Sequence, residues 1–161
     1  MLGNTRTCVQ QTHWLPWLAA IPVAVMLLFS SYAHVDNGFH FLSTVYSYKL
    51  VGPWTGVVIA ATVPALQLTL GMAMLFVPTL RRTAFGGSVM LFAGFVGAQA
   101  VTLTRGLDIS CGCFGSSSGP IGPVSIGIAA TGLILSLVGY VGCRRLGTRA
   151  LRIGIGAADG P

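Results

Sequence analysis

The sequence predicts an all-α membrane protein: a bundle of four transmembrane helices, with a short interfacial helix after the first. Three observations predict it. The 161 residues are 53% hydrophobic and only 7% charged, whereas a soluble domain carries about 25% charged residues. The apolar residues gather into four long runs, each near the ~20 residues that a spanning helix needs. The basic residues stand at the ends of those runs, where membrane topology places them. The net charge of +6 is therefore no signature of nucleic-acid binding, because the basic residues are not interleaved with aromatics on one stretch. No internal repeat and no heptad pattern is present.

Residues 1–13 form a short leader with Arg6, Cys8 and His13. The first apolar run covers 14–33, with Trp14 and Trp17 suited to one interface. Pro16 is tolerable near a helix start, and Pro22 is expected to kink the middle. A cleaved signal peptide is the rival reading, since Ser31-Tyr32-Ala33 loosely resembles a small-x-small site. A single arginine and an apolar run longer than a signal core favour a retained helix.

Residues 34–53 read as the first connecting loop. Phe39, Phe41, Leu42, Val45 and Tyr46 fall on one face if this part is helical, which fits a helix lying at the interface. His34 and His40 are candidate ligands or proton carriers, though such histidines are more often interfacial polar groups. The second run, 54–77, contains Pro64 and the amide of Gln67. A buried amide in a membrane helix usually bonds to another helix, so packing is the first reading and substrate contact the second. A basic turn follows at 78–82. The third run, 83–104, offers Gly86, Gly87, Gly94, Gly97 and Ala98 as a small-residue face, with Gln99 as its amide. The fourth run covers 124–141 and ends at Cys143-Arg144-Arg145. The domain division is a leader at 1–13, a membrane domain at 14–142 and a basic tail at 143–161, whose end is expected to be disordered.

The reactive stretch is 105–123, R-G-L-D-I-S-C-G-C-F-G-S-S-S-G-P-I-G-P. Cys111 and Cys113 flank one glycine in a polar loop between two apolar runs. A disulfide across a single residue closes a very small ring, and departures from the preferred Cα separation of roughly 4.4–6.8 Å make the bond easier to reduce. Gly112 allows backbone conformations that a side chain forbids. Strained, exposed disulfides tend to be labile or catalytic. A redox pair, an inert structural pair and a metal site for soft Cu(I) or zinc all remain open on spacing. The metal reading needs further ligands, because the loop holds no histidine, and no bound metal or cofactor is expected.

With four spans, both termini share a side with the 78–82 turn. That side holds Arg6, Arg81, Arg82, Arg144, Arg145, Arg149 and Arg152, against Lys49 and Arg105 on the other. The bias predicts cytoplasmic termini and an extracytoplasmic Cys111–Cys113 loop in an oxidising compartment. Cys8 and Cys143 then fall on the reducing side and read as free thiols.

Three stretches carry a family resemblance: F-L-S-T-V-Y-S-Y-K-L-V-G-P at 41–53, V-P-A-L-Q-L-T-L-G at 63–71 and D-I-S-C-G-C-F-G at 108–115. Together with the four spans over about residues 14–142, they resemble the methylamine utilisation protein MauE family, within the wider DoxX-like membrane proteins. The chain departs from that pattern at Gln67, where the family usually has Glu, and a Lys common after the first helix either appears here as His34 or is absent. After C-G-C-F-G it reads G-P-I-G-P-V-S instead of an Arg-Asn-like pair. The resemblance implies a divergent member in the bacterial inner membrane. Such a protein supports maturation of periplasmic, disulfide-rich proteins beside a thioredoxin-like partner, and Cys111 and Cys113 are the functional residues carried over. The expected activity is thiol–disulfide exchange, with the thioredoxin-like protein or a membrane quinone as electron acceptor. A non-enzymatic assembly or anchoring subunit and a metal-handling protein are the rival functions.

Overall fold

The computed structural model describes residues 14–49, 52–106 and 122–158. All the elements among them are helices: α1 (Trp14–Asp36), α2 (Gly38–Ser47), α3 (Pro53–Phe76), α4 (Arg81–Thr104) and α5 (Pro123–Ala158). Four of these contain a stretch long and apolar enough to cross a membrane. Lipid offers no hydrogen bonds, so a spanning segment must satisfy its backbone internally, and helices do so.

The ends of the helices follow from local chemistry. Pro53 opens α3 and Pro123 opens α5, at the position where a missing N–H costs nothing. The Ser125 hydroxyl accepts from the Gly122 N–H and donates to the Gly122 carbonyl, both at 3.0 Å. Gly106 closes α4 with φ +63°, the left-handed geometry that suits glycine after a helix. Lys49 closes α2 at φ +50° without that freedom. The Arg105 Nη1 donates to the Lys49 carbonyl at 3.5 Å, which draws the ends of α2 and α4 together.

Helix α1 packs on α3 and α5, and α4 packs on α3 and α5, so the four spans close a ring. Trp17 at the start of α1 lies against Arg81 at the start of α4. Cys143 joins Ala19, Ala20, Ala84 and Phe85 in one buried cluster. The start of α1, the 78–80 turn and residue 143 of α5 therefore share one end, the basic end. Lys49, Pro53, Arg105 and Pro123 mark the opposite end, called here the loop end.

Three sequence expectations change. The first helix does not stop at residue 33: it runs to Asp36, and α2 follows after a break at Asn37, whose φ is −122° and ψ 50°. Backbone bonds from Asn37 to Ala33 and from Phe41 to Asn37 bridge the break. Helix α2 packs on α3, with the Tyr46 hydroxyl donating to the Pro53 carbonyl at 2.9 Å. Second, α5 continues through the expected tail to Ala158, since no proline interrupts the Arg-, Leu- and Ala-containing stretch beyond Cys143. Third, the glycines that allow close packing are mostly not those of α4. A Cβ at Gly87 would lie 2.8 Å from Leu70, but one at Gly94 or Gly97 would meet nothing within 4 Å. The tight positions lie on α3 and α5. A Cβ at Gly71 would lie 2.9 Å from Leu28, one at Gly132 2.6 Å from Phe92, and one at Gly139 would strike the Phe85 ring. The aromatic rings of α4 thus fill notches in α5, a pattern that glycine counts on one helix do not reveal.

Overpacking a filled core costs roughly 1–3 kcal/mol. Gly139→Ala should therefore lower the thermal midpoint in detergent clearly, and Gly94→Ala should leave it nearly unchanged. Equal effects of the two would refute this account of the α4–α5 contact.

Candidate functional site

The polar side chains of α1 and α3 meet inside the bundle. Ser30, Ser31 and His34 stand within little more than one helical turn of α1, and Pro64 and Gln67 face them from α3. The Ser31 hydroxyl donates to the Pro64 carbonyl at 2.8 Å. Gln67 Nε2 donates to Ser30 Oγ at 3.1 Å, and Gln67 Oε1 lies 3.1 Å from His34 Nδ1. With the amide nitrogen committed to Ser30, Oε1 is the acceptor, so His34 carries its proton on Nδ1 and donates it. The imidazole ring also lies against Phe41 across the α1–α2 break, with centroids 3.9 Å apart. His34 and Gln67 are each 1% exposed. A cavity of about 20 Å³ adjoins this chain, lined by Met26, Ser30, Gln67, Phe92, Phe95 and Ser125 among others.

Several expectations are decided by this arrangement. Gln67 does bond to another helix, as the packing reading held. His34 is not an interfacial group, because it lies in the bundle core next to the middle of α3. His40, on α2, has its Nδ1 buried without a hydrogen-bond partner and takes no part in the chain. Gln67, at which the chain departs from the family pattern it resembles, is in direct contact with His34. Cys111 and Cys113, the candidate catalytic residues, lie outside the described residues, in the stretch between α4 and α5 at the loop end. Among the described residues no three His, Cys, Asp or Glu side chains come together as a metal site requires.

Two features at the basic end were missed. Arg81 is 2% exposed. Its Nε donates to the Met74 carbonyl at 3.1 Å, its guanidinium lies 3.9 Å from the Trp17 ring centroid, and its Nη2 is buried without a partner. The Arg-Arg pair in the sequence marks a membrane boundary but does not tell which arginine turns inward. Cys143, expected as a free thiol, is 3% exposed and disulfide-bonded, with its partner outside the described residues. The sequence separates this cysteine widely from all the others, so only the folded chain reveals the bond. A disulfide here runs against the reducing side that the arginine count assigns to this end. At the loop end, burial pushes the Tyr48 phenol up to about 12.

The family model for methylamine utilisation protein MauE matches residues 12–143. The chain belongs to the MauE family. No curated protein and no solved structure matches it. In this MauE-family protein the matched stretch takes in the four spans, the His34–Gln67 pair and the Cys-Gly-Cys sequence. Membership together with the four apolar helices makes it a multi-pass membrane protein of a family named for methylamine utilisation.

Removing the Gln67 amide should loosen the α1–α3 contact of this protein. Interhelical hydrogen bonds in membranes average ~0.6 kcal/mol and reach ~1.7, and an orphaned buried donor adds roughly 1–3 kcal/mol. Gln67→Ala should therefore cost roughly 2–5 kcal/mol in reversible unfolding in detergent. Gln67→Glu, which keeps an acceptor for His34 Nδ1–H, should cost clearly less. Full stability with lost activity in Gln67→Ala would make Gln67 a site residue and refute the packing account.

Proposed function

We propose that this MauE-family protein is a membrane thiol–disulfide redox and maturation factor whose reactive pair is Cys111 and Cys113. The observation that carries the reading is Cys111-Gly112-Cys113 in the connection between α4 and α5 of a MauE-family bundle. In the oxidising direction a thiolate of a thioredoxin-like partner attacks one sulfur of the Cys111–Cys113 disulfide. A mixed disulfide forms, and one loop thiolate leaves and takes up a proton. The second thiol of the partner then displaces the bound cysteine. Two electrons and two protons have passed, leaving a partner disulfide and a loop dithiol. A membrane quinone that accepts both becomes a quinol and restores the loop disulfide. The thioredoxin-like protein can equally be the acceptor when exchange runs the other way.

The proposed location is the bacterial inner membrane, with the Cys111–Cys113 loop extracytoplasmic and both termini cytoplasmic. The seven-to-two distribution of basic residues supports this orientation. The two basic residues of the loop end, Lys49 and Arg105, are in contact with each other, and the arginines that begin α4 stand at the other end.

Residues that act as one unit lose function together. Cys111→Ser and Cys113→Ser should each abolish complementation as fully as the double change, and the variant that keeps the attacking thiol should trap a mixed disulfide on a non-reducing gel. In intact cells, an impermeant thiol reagent added after mild reduction should label the loop pair and not Cys143. Labelling of Cys143 alone would invert the orientation. A structural disulfide predicts a stability loss of roughly 2–5 kcal/mol, no trapped partner and activity retained in the cold. That outcome would replace the redox reading with an anchoring subunit.

A further inference from the structure

We propose that the basic end of the bundle binds the phosphate of an anionic phospholipid, seated at the start of α4 between Arg82 and Arg144, with Arg81 behind it. The site is separate from the Cys111–Cys113 loop and does not depend on thiol chemistry.

Three contacts fix how α4 and α5 lie against each other. The Phe92 ring lies at Gly132, the Phe85 ring at Gly139, and the Tyr140 ring at Gly86. The two helices are antiparallel in this register. Arg82 stands one turn before Gly86 on the same face of α4, and Arg144 one turn after Tyr140 on the same face of α5. Continued by that turn, the register brings Arg82 and Arg144 level with each other. Both side chains are exposed, and the Arg144 guanidinium lies 5.9 Å from the Tyr140 ring centroid. A guanidinium has five N–H donors, so Arg144 can serve an anion alongside its other contacts.

Arg81 adds a third positive charge at the same level. Its Nε is committed to the Met74 carbonyl and its face to the Trp17 ring, but its Nη2 is buried with no acceptor. No carboxylate among the described residues balances the three arginines. The one acidic side chain there, Asp36, is at the loop end, where it accepts a bond from Asn37. Guanidinium charges level across a helix contact repel, and a buried one without an anion is costly. An anion from outside the chain relieves both. The backbone favours the same ligand. Helix α4 has 24 residues and presents its N-terminus here, the positive end of its macrodipole. Leu80 stands at the cap position, and no side-chain cap bond is made, so the first-turn N–H groups add to the pull on an anion.

The location selects a lipid. Arg81 opens one span and Arg144 closes another, so the cluster lies at the membrane boundary, the level of the headgroups. Trp17 and Leu80 are half-exposed and offer apolar surface beside the arginines for the glycerol and the first acyl carbons. Guanidinium forks match phosphate oxygens in pairs. Arg145, Arg149 and Arg152 follow in the sequence, and basic clusters next to a span draw anionic lipid.

The test uses the full chain in nanodiscs of phosphatidylcholine, with or without phosphatidylglycerol. Phosphatidylglycerol should raise the thermal midpoint, and native mass spectrometry should show it retained in preference to phosphatidylcholine. Inorganic phosphate added to the neutral nanodiscs should give no such rise. The Arg82→Gln/Arg144→Gln variant should have a midpoint in neutral nanodiscs no lower than wild type, because the repulsion is gone. It should lose the rise and retain phosphatidylglycerol roughly 30-fold less, as expected for two basic side chains near an anionic surface. Arg149→Gln/Arg152→Gln, with the same net charge, should retain the lipid as wild type does. Equal losses in the two double variants would mean diffuse attraction and overturn the site. An equal rise with inorganic phosphate would make the ligand a free anion and overturn the lipid assignment. Wild-type protein that retains both lipids equally overturns the proposal whether or not the variants fold.

Discussion

The hydrogen bonds between α1 and α3 organise the rest of the bundle. In lipid, apolar side chains gain little by leaving the hydrocarbon for one another, so helix contacts depend on close packing and on polar groups that find partners. Ser31 to Pro64, Ser30 to Gln67 and Gln67 to His34 give three such bonds within a few turns. They set the register of α1 on α3. Below them Gly71 lets Leu28 approach, and beyond them α2 continues onto the first turns of α3, where Gly56 receives the Tyr46 ring. The α4–α5 pair is held differently, by the rings of Phe85 and Phe92 in the notches at Gly139 and Gly132. One side of the ring is therefore clamped by polar bonds and the other by shape.

The two ends of the bundle have different chemistry. At the basic end, Arg81 lies across the Trp17 ring and bonds to the last turns of α3, which ties the turn at 78–80 to the start of α1. Stacking on an aromatic face is a favourable way to hold a guanidinium out of water. At the loop end, the Arg105–Lys49 bond links the exit of α4 to the exit of α2. This frame stands at the end of the bundle where α4 stops and α5 begins. The buried polar residues are concentrated in the half of the bundle below that frame.

Much of the fold was legible because lipid imposes a simple rule of length and apolarity. The second, third and fourth spans begin within two residues of their expected starts, and Pro53 and Pro123 mark two of them. The α1–α2 boundary was not legible, since His34, Asp36 and Asn37 look like the start of a polar loop. In the structure His34 is tucked into the core by Gln67 and Phe41, and the helix carries on to Asp36. Gln67 could be read as an interhelical donor, but its partner could not, because hydrogen bonds across 33 residues of chain leave no periodic trace. The Arg81 stack and the Cys143 disulfide belong to the same class of contacts between distant elements. Cys111 and Cys113 lie outside the described residues, and their proposed role rests on spacing and family resemblance.

The most direct test of the redox account is the equilibrium potential of the Cys111–Cys113 pair in the membrane-embedded protein, read by alkylation and mass spectrometry resolved to the two loop cysteines. Structural disulfides typically lie below about −300 mV, whereas strained and catalytic ones lie higher. The account predicts a potential well above that limit, in the range of thiol–disulfide exchange proteins at about −270 to −120 mV. A value below about −300 mV would identify Cys111 and Cys113 as a structural bridge and contradict the proposed function.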